Sequence, residues 1–288
     1  MGDAAIHGLQ EKLHRRIGDF LNRGPRGCRD LRPFIERFSK AESNAFFFGG
    51  FLRDLMVRGP SVIPRDIDIV VREFTPALQD IIDSKIKRRN RFGGVNLDSE
   101  GWAVDLWTLE STWAFREGIV SGGGFPDLPK TTFLNIQAVT AEVAPPPGRP
   151  RTIYSHGFFE AILGRTLDIN CEDNPYPHLC VMQSLLSAAQ LRFFMSPRLA
   201  RYVLHYGNVD GLEPLIDVQM EHYGCVHADL PLLHGWFEGI AEQLAAAAQA
   251  HVGLPNLEHL TACPRGVLPA RARTSAGPGR RRGRSGPR

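Results

Sequence analysis

The pattern of hydrophobic and polar positions predicts alternating helices and strands in the first third of the chain. Apolar residues recur at helical spacing from Ile6 to Leu21, which indicates an amphipathic N-terminal helix packed on the following domain. Three consecutive phenylalanines, Phe46 to Phe48, predict a buried strand that ends at Gly49-Gly50. A helix with one apolar side follows and ends at Gly59-Pro60. A second strand is predicted over Asp66 to Val71, where apolar and acidic residues alternate.

Further along the chain the pattern predicts a β-hairpin and then mostly helices. The hairpin consists of Phe92 to Leu97 and residues 101–109, and another strand is expected over Thr152 to Tyr154. A helix is expected over Phe158 to Leu163, and the pattern is mainly helical from Cys180 onward. Its clearest helix is predicted over Ala241 to Ala250, since alanine is the best helix former.

The glycine pair Gly49-Gly50 lies where the first strand meets its helix. Because glycine has no side chain, a polyanion can approach the backbone N–H groups closely, and the positive end of the helix dipole favours its negative charge. The turn therefore predicts a site for a triphosphate.

Two carboxylates, Asp66 and Asp68, lie two residues apart on the second predicted strand and should project to the same face. Acids held side by side repel each other unless a cation lies between them, and Mg²⁺ prefers such oxygen ligands. The alternative interpretation is that both lie on the solvated face of an edge strand. The glycine turn upstream favours the metal site.

Together these motifs, G-G-F-L-R-D at 49–54 and P-R-D-I-D-I-V-V at 64–71, resemble the head-domain signature of bacterial poly(A) polymerases and class II tRNA CCA-adding enzymes. These families belong to the DNA polymerase β-like nucleotidyltransferase superfamily. The resemblance implies an α+β fold, with a mixed sheet and flanking helices followed by a mostly helical C-terminal domain. We expect an N-terminal helix at 1–30, the head domain at 31–170, a helical neck and body at 171–262, and a disordered basic tail at 263–288.

The resemblance also assigns roles to individual residues. It implies a nucleotide-binding set, which comprises Gly49, Gly50, Arg53 and Asp54. It also implies a set that binds two Mg²⁺ ions, which comprises Asp66, Asp68 and a third carboxylate. Asp105, in the alternating segment 101–109, is our candidate for that third, catalytic ligand. The implied activity is transfer of a nucleoside monophosphate from an NTP such as ATP to an acceptor hydroxyl, most simply the 3′ end of a tRNA or another RNA.

The resemblance weakens along the segment Cys180 to Pro197, which aligns with the family's neck helix. Its apolar positions are kept, but Cys180, Gln183, Leu186 and Gln190 stand where the family usually has arginines. These departures argue against CCA addition itself. A protein or small-molecule acceptor, and a non-catalytic RNA- or nucleotide-binding relic, are therefore alternatives, although retention of all three acids argues against the relic.

Three tryptophans, Trp102, Trp107 and Trp113, flank the strand that carries Asp105 and could stack on a base. The spacing of Trp102 and Trp107 places these two on opposite faces, which favours packing in the core.

Charge is distributed unevenly along the 288 residues. The formal net charge of +3 includes eight arginines and no acid from Arg265 to Arg288, so the remaining chain carries −5. This Gly-, Pro- and Ala-rich tail is too polar to fold and could bind RNA phosphates without reading sequence, or could be an ordinary terminus without a function. We expect no basic stripe elsewhere.

The N-terminal decapeptide lacks signal-peptide features and no apolar run is long enough to cross a membrane, so we expect a cytoplasmic protein without a membrane partner.

Overall fold

The computed structural model describes residues 2–23, 28–42, 44–90, 93–99 and 101–261, and the predicted basic tail lies outside this part. The helices of the described part are α1 (Gly2–Arg23), α2 (Cys28–Ala41), α3 (Gly50–Arg58), α4 (Pro76–Ile82), α5 (Trp113–Arg116), α6 (Phe158–Gly164), α7 (Pro177–Leu191), α8 (Pro197–Gly207), α9 (Glu213–Tyr223) and α10 (Leu230–Ala246). The strands are β1 (Ala45–Phe48), β2 (Ile67–Val71), β3 (Ile86–Arg89), β4 (Val95–Ser99), β5 (Trp102–Thr108), β6 (Val139–Glu142), β7 (Ile153–Ser155), β8 (Thr166–Leu167) and β9 (Phe194–Met195).

A mixed sheet forms the centre of the N-terminal half. Within the described residues its strand order is β3-β4-β5-β2-β1-β6-β7. Strands β2 and β5 are parallel, whereas the other neighbouring pairs are antiparallel. The predicted α+β fold, with helices flanking a mixed sheet and a mostly helical C-terminal part, is confirmed.

One face of the sheet packs against helices and forms the main core. The residues of β2 that point to this face, Ile67, Ile69 and Val71, are fully buried. The predicted N-terminal helix packs here, because Phe20 of α1 meets the rings of Phe51 and Trp102 edge to face at 5.1 and 5.8 Å. Burial of these large aromatic side chains is a main source of stability for the N-terminal half.

The opposite face of the sheet is covered by residues 109–133, which we call the covering segment. A second, smaller core lies beneath it, where Phe125 stacks on Phe46 of β1 with ring centroids 4.2 Å apart. Val70, Leu109 and Leu128 complete this cluster. The covering segment leaves the middle of this face partly open, and Asp68 and Asp105 lie there.

Helices α7 to α10 form the C-terminal part, where Trp236 is fully buried and its indole N–H donates to the Pro255 carbonyl oxygen at 2.9 Å. The prediction of a helix through Ala250 is wrong at its end, because α10 stops at Ala246. The chain turns there since Val252 exchanges backbone hydrogen bonds with Met195. This tertiary pairing overrides the helix propensity of the alanines.

No helix in the part of the chain that the structure describes is long and apolar enough to cross a membrane.

Candidate active site

The glycine turn between β1 and α3 has a backbone that requires glycine. Gly49 has φ of +66°, in the region that L-residues avoid, and its N–H donates to the Val139 carbonyl oxygen at 3.1 Å. Helix α3 begins at Gly50. The first N–H groups of a helix lack partners within it, so the start of α3 offers hydrogen-bond donors suited to an anion.

Arg53 and Asp54 lie directly beneath this turn. Their side chains form an ion pair of 2.9 Å between Nε and Oδ1 and are 18% and 13% exposed. The Arg53 guanidinium also lies 3.7 Å from the position that a Cβ on Gly50 would take. Arg53 therefore adds positive charge at the turn, and Asp54 fixes its orientation.

Asp68 and Asp105 are brought together by strand pairing. Strands β2 and β5 are parallel neighbours, and Asp68 is in register with Asp105. Their neighbours along each strand are buried and point to the main core, so both carboxylates project from the open face. The alternative of a solvated edge strand is excluded, since β2 lies between β5 and β1 inside the sheet.

Asn96, which the sequence analysis missed, holds Asp105 in place. It faces Asp105 from strand β4, and its amide donates to the Asp105 Oδ1 atom at 2.7 Å. This charge-assisted hydrogen bond fixes the rotamer of the carboxylate. Alternation in the hairpin would have placed Asn96 on one face, but only the pairing register shows that it meets Asp105.

Asp66 lies outside the strand pairing that aligns Asp68 with Asp105. It precedes β2 rather than lying within it, and its Oδ2 accepts hydrogen bonds from Arg65 at 2.8 and 3.0 Å. Arg65 also donates to the His222 carbonyl oxygen at 3.4 Å and lies over the Tyr223 ring, so it connects Asp66 with α9. Desolvation lowers the pKa of Arg65, but the Asp66 charge and hydrogen bond outweigh it and raise the pKa.

The donor chemistry fits a hard divalent cation. Carboxylate oxygens are the ligands that Mg²⁺ takes, and Asp68 and Asp105 present two on neighbouring strands. Within the described residues, no group of three or more His, Cys, Asp or Glu side chains is close enough to hold a metal ion. Asp66 can complete the set only if its carboxylate exchanges Arg65 for the metal. Asp68 and Asp105 are thus adjacent in the sheet, whereas the Asp66 carboxylate is hydrogen-bonded to Arg65.

The tryptophans have different surroundings. Trp102 is in the main core, as its spacing predicted. Trp107 is two residues after Asp105 on the open face, and its indole N–H donates to the Thr112 hydroxyl at 3.2 Å. Trp107 and Trp113 line a cavity of about 250 Å³, together with Phe48. We call this cavity the aromatic pocket.

A basic strand was also missed. The expectation of no basic stripe outside the tail is wrong, because residues 85–91 contain five basic residues and no acid. Strand β3 displays Lys87, Arg88 and Arg89 at the edge of the sheet, with all three exposed. A count of charges over this short window would have found it.

Helix α7 lacks the basic side chains that the resemblance predicts. Cys180 and Leu186 are buried, so these positions now belong to the core. Burial is the main cause that raises the pKa of the Cys180 thiol to about 12, and this thiol is therefore no nucleophile at neutral pH. Gln190 is exposed and accepts a hydrogen bond from Arg58.

Comparison with solved structures identifies the fold. A CCA-adding enzyme in complex with ATP has a TM-score of 0.53 and 15% sequence identity, covering 81% of this chain and 53% of its own. The Thermotoga maritima CCA-adding enzyme complexed with tRNA has a TM-score of 0.52 and 16% identity, covering 81% of this chain and 54% of its own. An apo form of a CCA-adding enzyme has a TM-score of 0.51 and 15% identity, and the match covers 81% of this chain and 54% of that enzyme. The chain thus spans about half the length of these enzymes.

The sequence matches no protein-family model and no curated protein. The resemblance carried by the two motifs and the structural comparison agree. Over the compared region, the chain has the fold of these CCA-adding enzymes.

Proposed function

We propose that this protein is a Mg²⁺-dependent nucleotidyltransferase that transfers a nucleoside monophosphate from an NTP to the 3′ hydroxyl of an RNA and releases pyrophosphate. The observation that carries the proposal is the register of Asp68 with Asp105, one residue row away from the glycine turn, since Phe48 pairs with Asp68 and immediately precedes Gly49. The similar enzymes in complex with ATP and with tRNA support both substrates.

Each residue group has a distinct role in this reaction. The turn at Gly49 and Gly50 binds the triphosphate through the N–H groups at the start of α3, with Arg53 beneath them, and this positions the α-phosphate for in-line attack. Asp66, Asp68 and Asp105 would hold two Mg²⁺ ions, which when bound lower the pKa of the attacking hydroxyl and neutralise the leaving pyrophosphate. The Asp105 carboxylate, oriented by Asn96, accepts the proton of that hydroxyl.

An acceptor other than RNA is supported by one observation. The neck positions that usually carry arginine are buried in the core at Cys180 and Leu186. A protein or small-molecule hydroxyl is therefore the second candidate. The relic hypothesis receives less support, because neighbouring strands hold Asp68 and Asp105 in register and Asn96 orients Asp105, an arrangement that a scaffold alone does not need.

One experiment separates these candidates. The purified chain is incubated with each α-³²P-labelled NTP and Mg²⁺ in the presence of total RNA or of a nuclease-treated lysate, and the products are resolved by gel and thin-layer chromatography. Label in RNA that depends on Asp68 supports the proposal. Label in a protein or a small molecule favours the second candidate, and no label with any NTP favours the relic.

Deleting the arginine-rich tail gives a separate prediction. If residues 265–288 bind RNA phosphates, the deletion raises KM for RNA, leaves kcat and the KM for NTP nearly unchanged, and reduces the salt dependence of binding. Each lost phosphate contact lowers the log–log slope by roughly 0.7 to 0.9. Binding titrations of both proteins over a salt series measure this slope. Identical slopes would show that the tail does not contact RNA.

A further inference from the structure

Strand β3 presents a row of positive charge at the edge of the sheet. Lys87 forms an ion pair with Asp98 at 2.5 Å, and Arg89 lies 3.6 Å from Asp83. All four side chains are substantially exposed, and exposed ion pairs of this kind are weak and can be exchanged for phosphate. The hydrogen bond from Lys87, with the nearby charge of Lys85, lowers the pKa of Asp98. Positive charge therefore dominates this edge.

The basic strand leads directly to the aromatic pocket. Asn90 follows the last residue of β3 and lines the pocket with Phe48, Trp107, Thr112, Trp113 and Thr131. Phe48 and Trp107 meet edge to face with ring centroids 6.0 Å apart. The volume of about 250 Å³ is below the roughly 300 Å³ at which pockets for drug-sized molecules begin, so the pocket suits a single planar ring system.

Gly94 keeps the pocket wall close to the sheet. A Cβ on Gly94 would lie 3.1 Å from the Trp107 Cβ and 2.7 Å from the Asn90 amide nitrogen. The side-chain amide oxygen of Asn90, Oδ1, in turn accepts a hydrogen bond from the Gly94 N–H at 2.9 Å. This turn therefore fixes the end of β3 against Trp107, and joins the basic strand to the pocket as one surface.

The pocket adjoins the acids on the side of β5. Phe48 is in register with Asp68, and Trp107 follows Asp105 by two residues on the same face. Arg88 is in register with Asn96, and Asn96 with Asp105, so one residue row runs across the sheet from the basic strand to the acids. The glycine turn directly follows Phe48, which lines the pocket.

We propose that β3 and the aromatic pocket bind the acceptor, and that this acceptor is a single-stranded RNA 3′ end. The phosphates follow Lys87 and Arg88, and the terminal base enters the pocket against Trp107 and Trp113, which leaves its ribose hydroxyl beside Asp105. A basic track combined with aromatic stacking is how proteins bind single strands without reading sequence. A base can enter such a pocket only when it is unpaired. The acceptor role rests on the proposed nucleotidyltransferase activity.

The charge arm of the test uses a fluorescein-labelled single-stranded 12-mer and the full chain, without NTP or Mg²⁺. Fluorescence anisotropy over a salt series compares the parent, the double variant Lys87→Ala/Arg88→Ala and the matched control Arg37→Ala/Lys40→Ala. The control residues are exposed on α2, whose buried side chains belong to the main core on the opposite face. We expect the β3 variant to lower the log–log slope by about 1.4, since each single-strand contact contributes roughly 0.7. The control should keep the parental slope.

The stacking arm compares this RNA with the same strand lacking its 3′-terminal base. The parent should bind the abasic strand roughly tenfold more weakly, because one stacked base contributes a factor of this order. Trp113→Ala should bind both strands alike, and Trp113→Phe should restore part of the difference. The comparison of two ligands on the parent protein needs no variant, so it remains decisive if Trp113→Ala fails to fold.

Three results would overturn the site: equal slopes for the parent and the β3 variant, equal affinity of the parent for the two strands, or equal affinity for a blunt duplex. Because binding is measured without nucleotide, it is independent of the labelling experiment. If RNA is labelled but the β3 variant has the parental slope, this site is refuted and the proposed activity stands. If RNA binds as expected but no product is labelled, the proposed activity is refuted and the RNA-binding site stands.

Discussion

Asp105→Ala is expected to lower the rate of nucleotide transfer by on the order of a thousandfold or more, and Asp68→Ala to do the same. Each change removes half of the in-register carboxylate pair, and electrostatic groups aimed at a phosphoryl-transfer centre contribute effects of this size. Incorporation of labelled nucleotide at saturating NTP and RNA measures the loss. A parental rate in either variant would refute the site assignment.

The fold of these variants should survive, which separates a lost metal ligand from unfolding. Asp68→Ala removes repulsion between neighbouring acids, so its thermal midpoint without Mg²⁺ should be level with the parent or higher. Glu110→Ala is the control, because Glu110 is exposed in the turn that follows β5. We expect it to transfer nucleotide normally. An equal loss in Glu110→Ala and Asp105→Ala would mean that the wrong acid was chosen.

The local units of this fold were predictable because their signals lie close together in the sequence. Glycines end the first strand and mark both ends of the helix that follows, and alternation of Ile67, Asp68 and Ile69 fixes which side chains of β2 are buried. The start of β2 was placed one residue early. Arg65 draws the Asp66 carboxylate toward itself and α9, and no periodicity in the strand reports that contact.

The rest of the site depends on which strands become neighbours. Asp105 meets Asp68 only because β5 pairs with β2 in parallel, although 30 residues of chain, including β3 and β4, separate the two strands. Asn96 reaches Asp105 through the same sheet order. Single-sequence patterns carry no information about such long-range pairings, so the family resemblance had to supply Asp105 as a candidate.

Helix α7 shows how the same fold can change its chemistry. A buried Cys180 and Leu186 strengthen the core between α7 and its neighbours but remove two positions at which a guanidinium could meet a base. The aromatic pocket lies on the open face of the sheet near the acids, and β3 lies at the edge of the same sheet. If acceptor binding has moved to that side, retention of the acids and loss of the neck arginines have one explanation.

Gly49→Ala and Gly50→Ala should separate the two roles of the glycine turn. Gly49 has φ of +66°, so alanine there should lower the free energy of unfolding by about 1–3 kcal/mol, whether or not nucleotide is present. Gly50 has no such backbone constraint, and its added Cβ would lie in ordinary contact 3.7 Å from Arg53. Because alanine also favours a helix over glycine, Gly50→Ala should be as stable as the parent or slightly more stable.

Nucleotide binding should respond differently from stability. If the triphosphate approaches the N–H groups at the start of α3, a methyl group on Gly50 lies in its path, and Gly50→Ala should raise the KM for NTP without lowering stability. Gly49→Ala should change both, because its strain shifts the same N–H groups. Urea unfolding and NTP titrations of the two variants measure these effects side by side. A Gly50→Ala protein with the parental KM for NTP would show that the triphosphate does not lie on this turn, since nothing else in the variant would have changed.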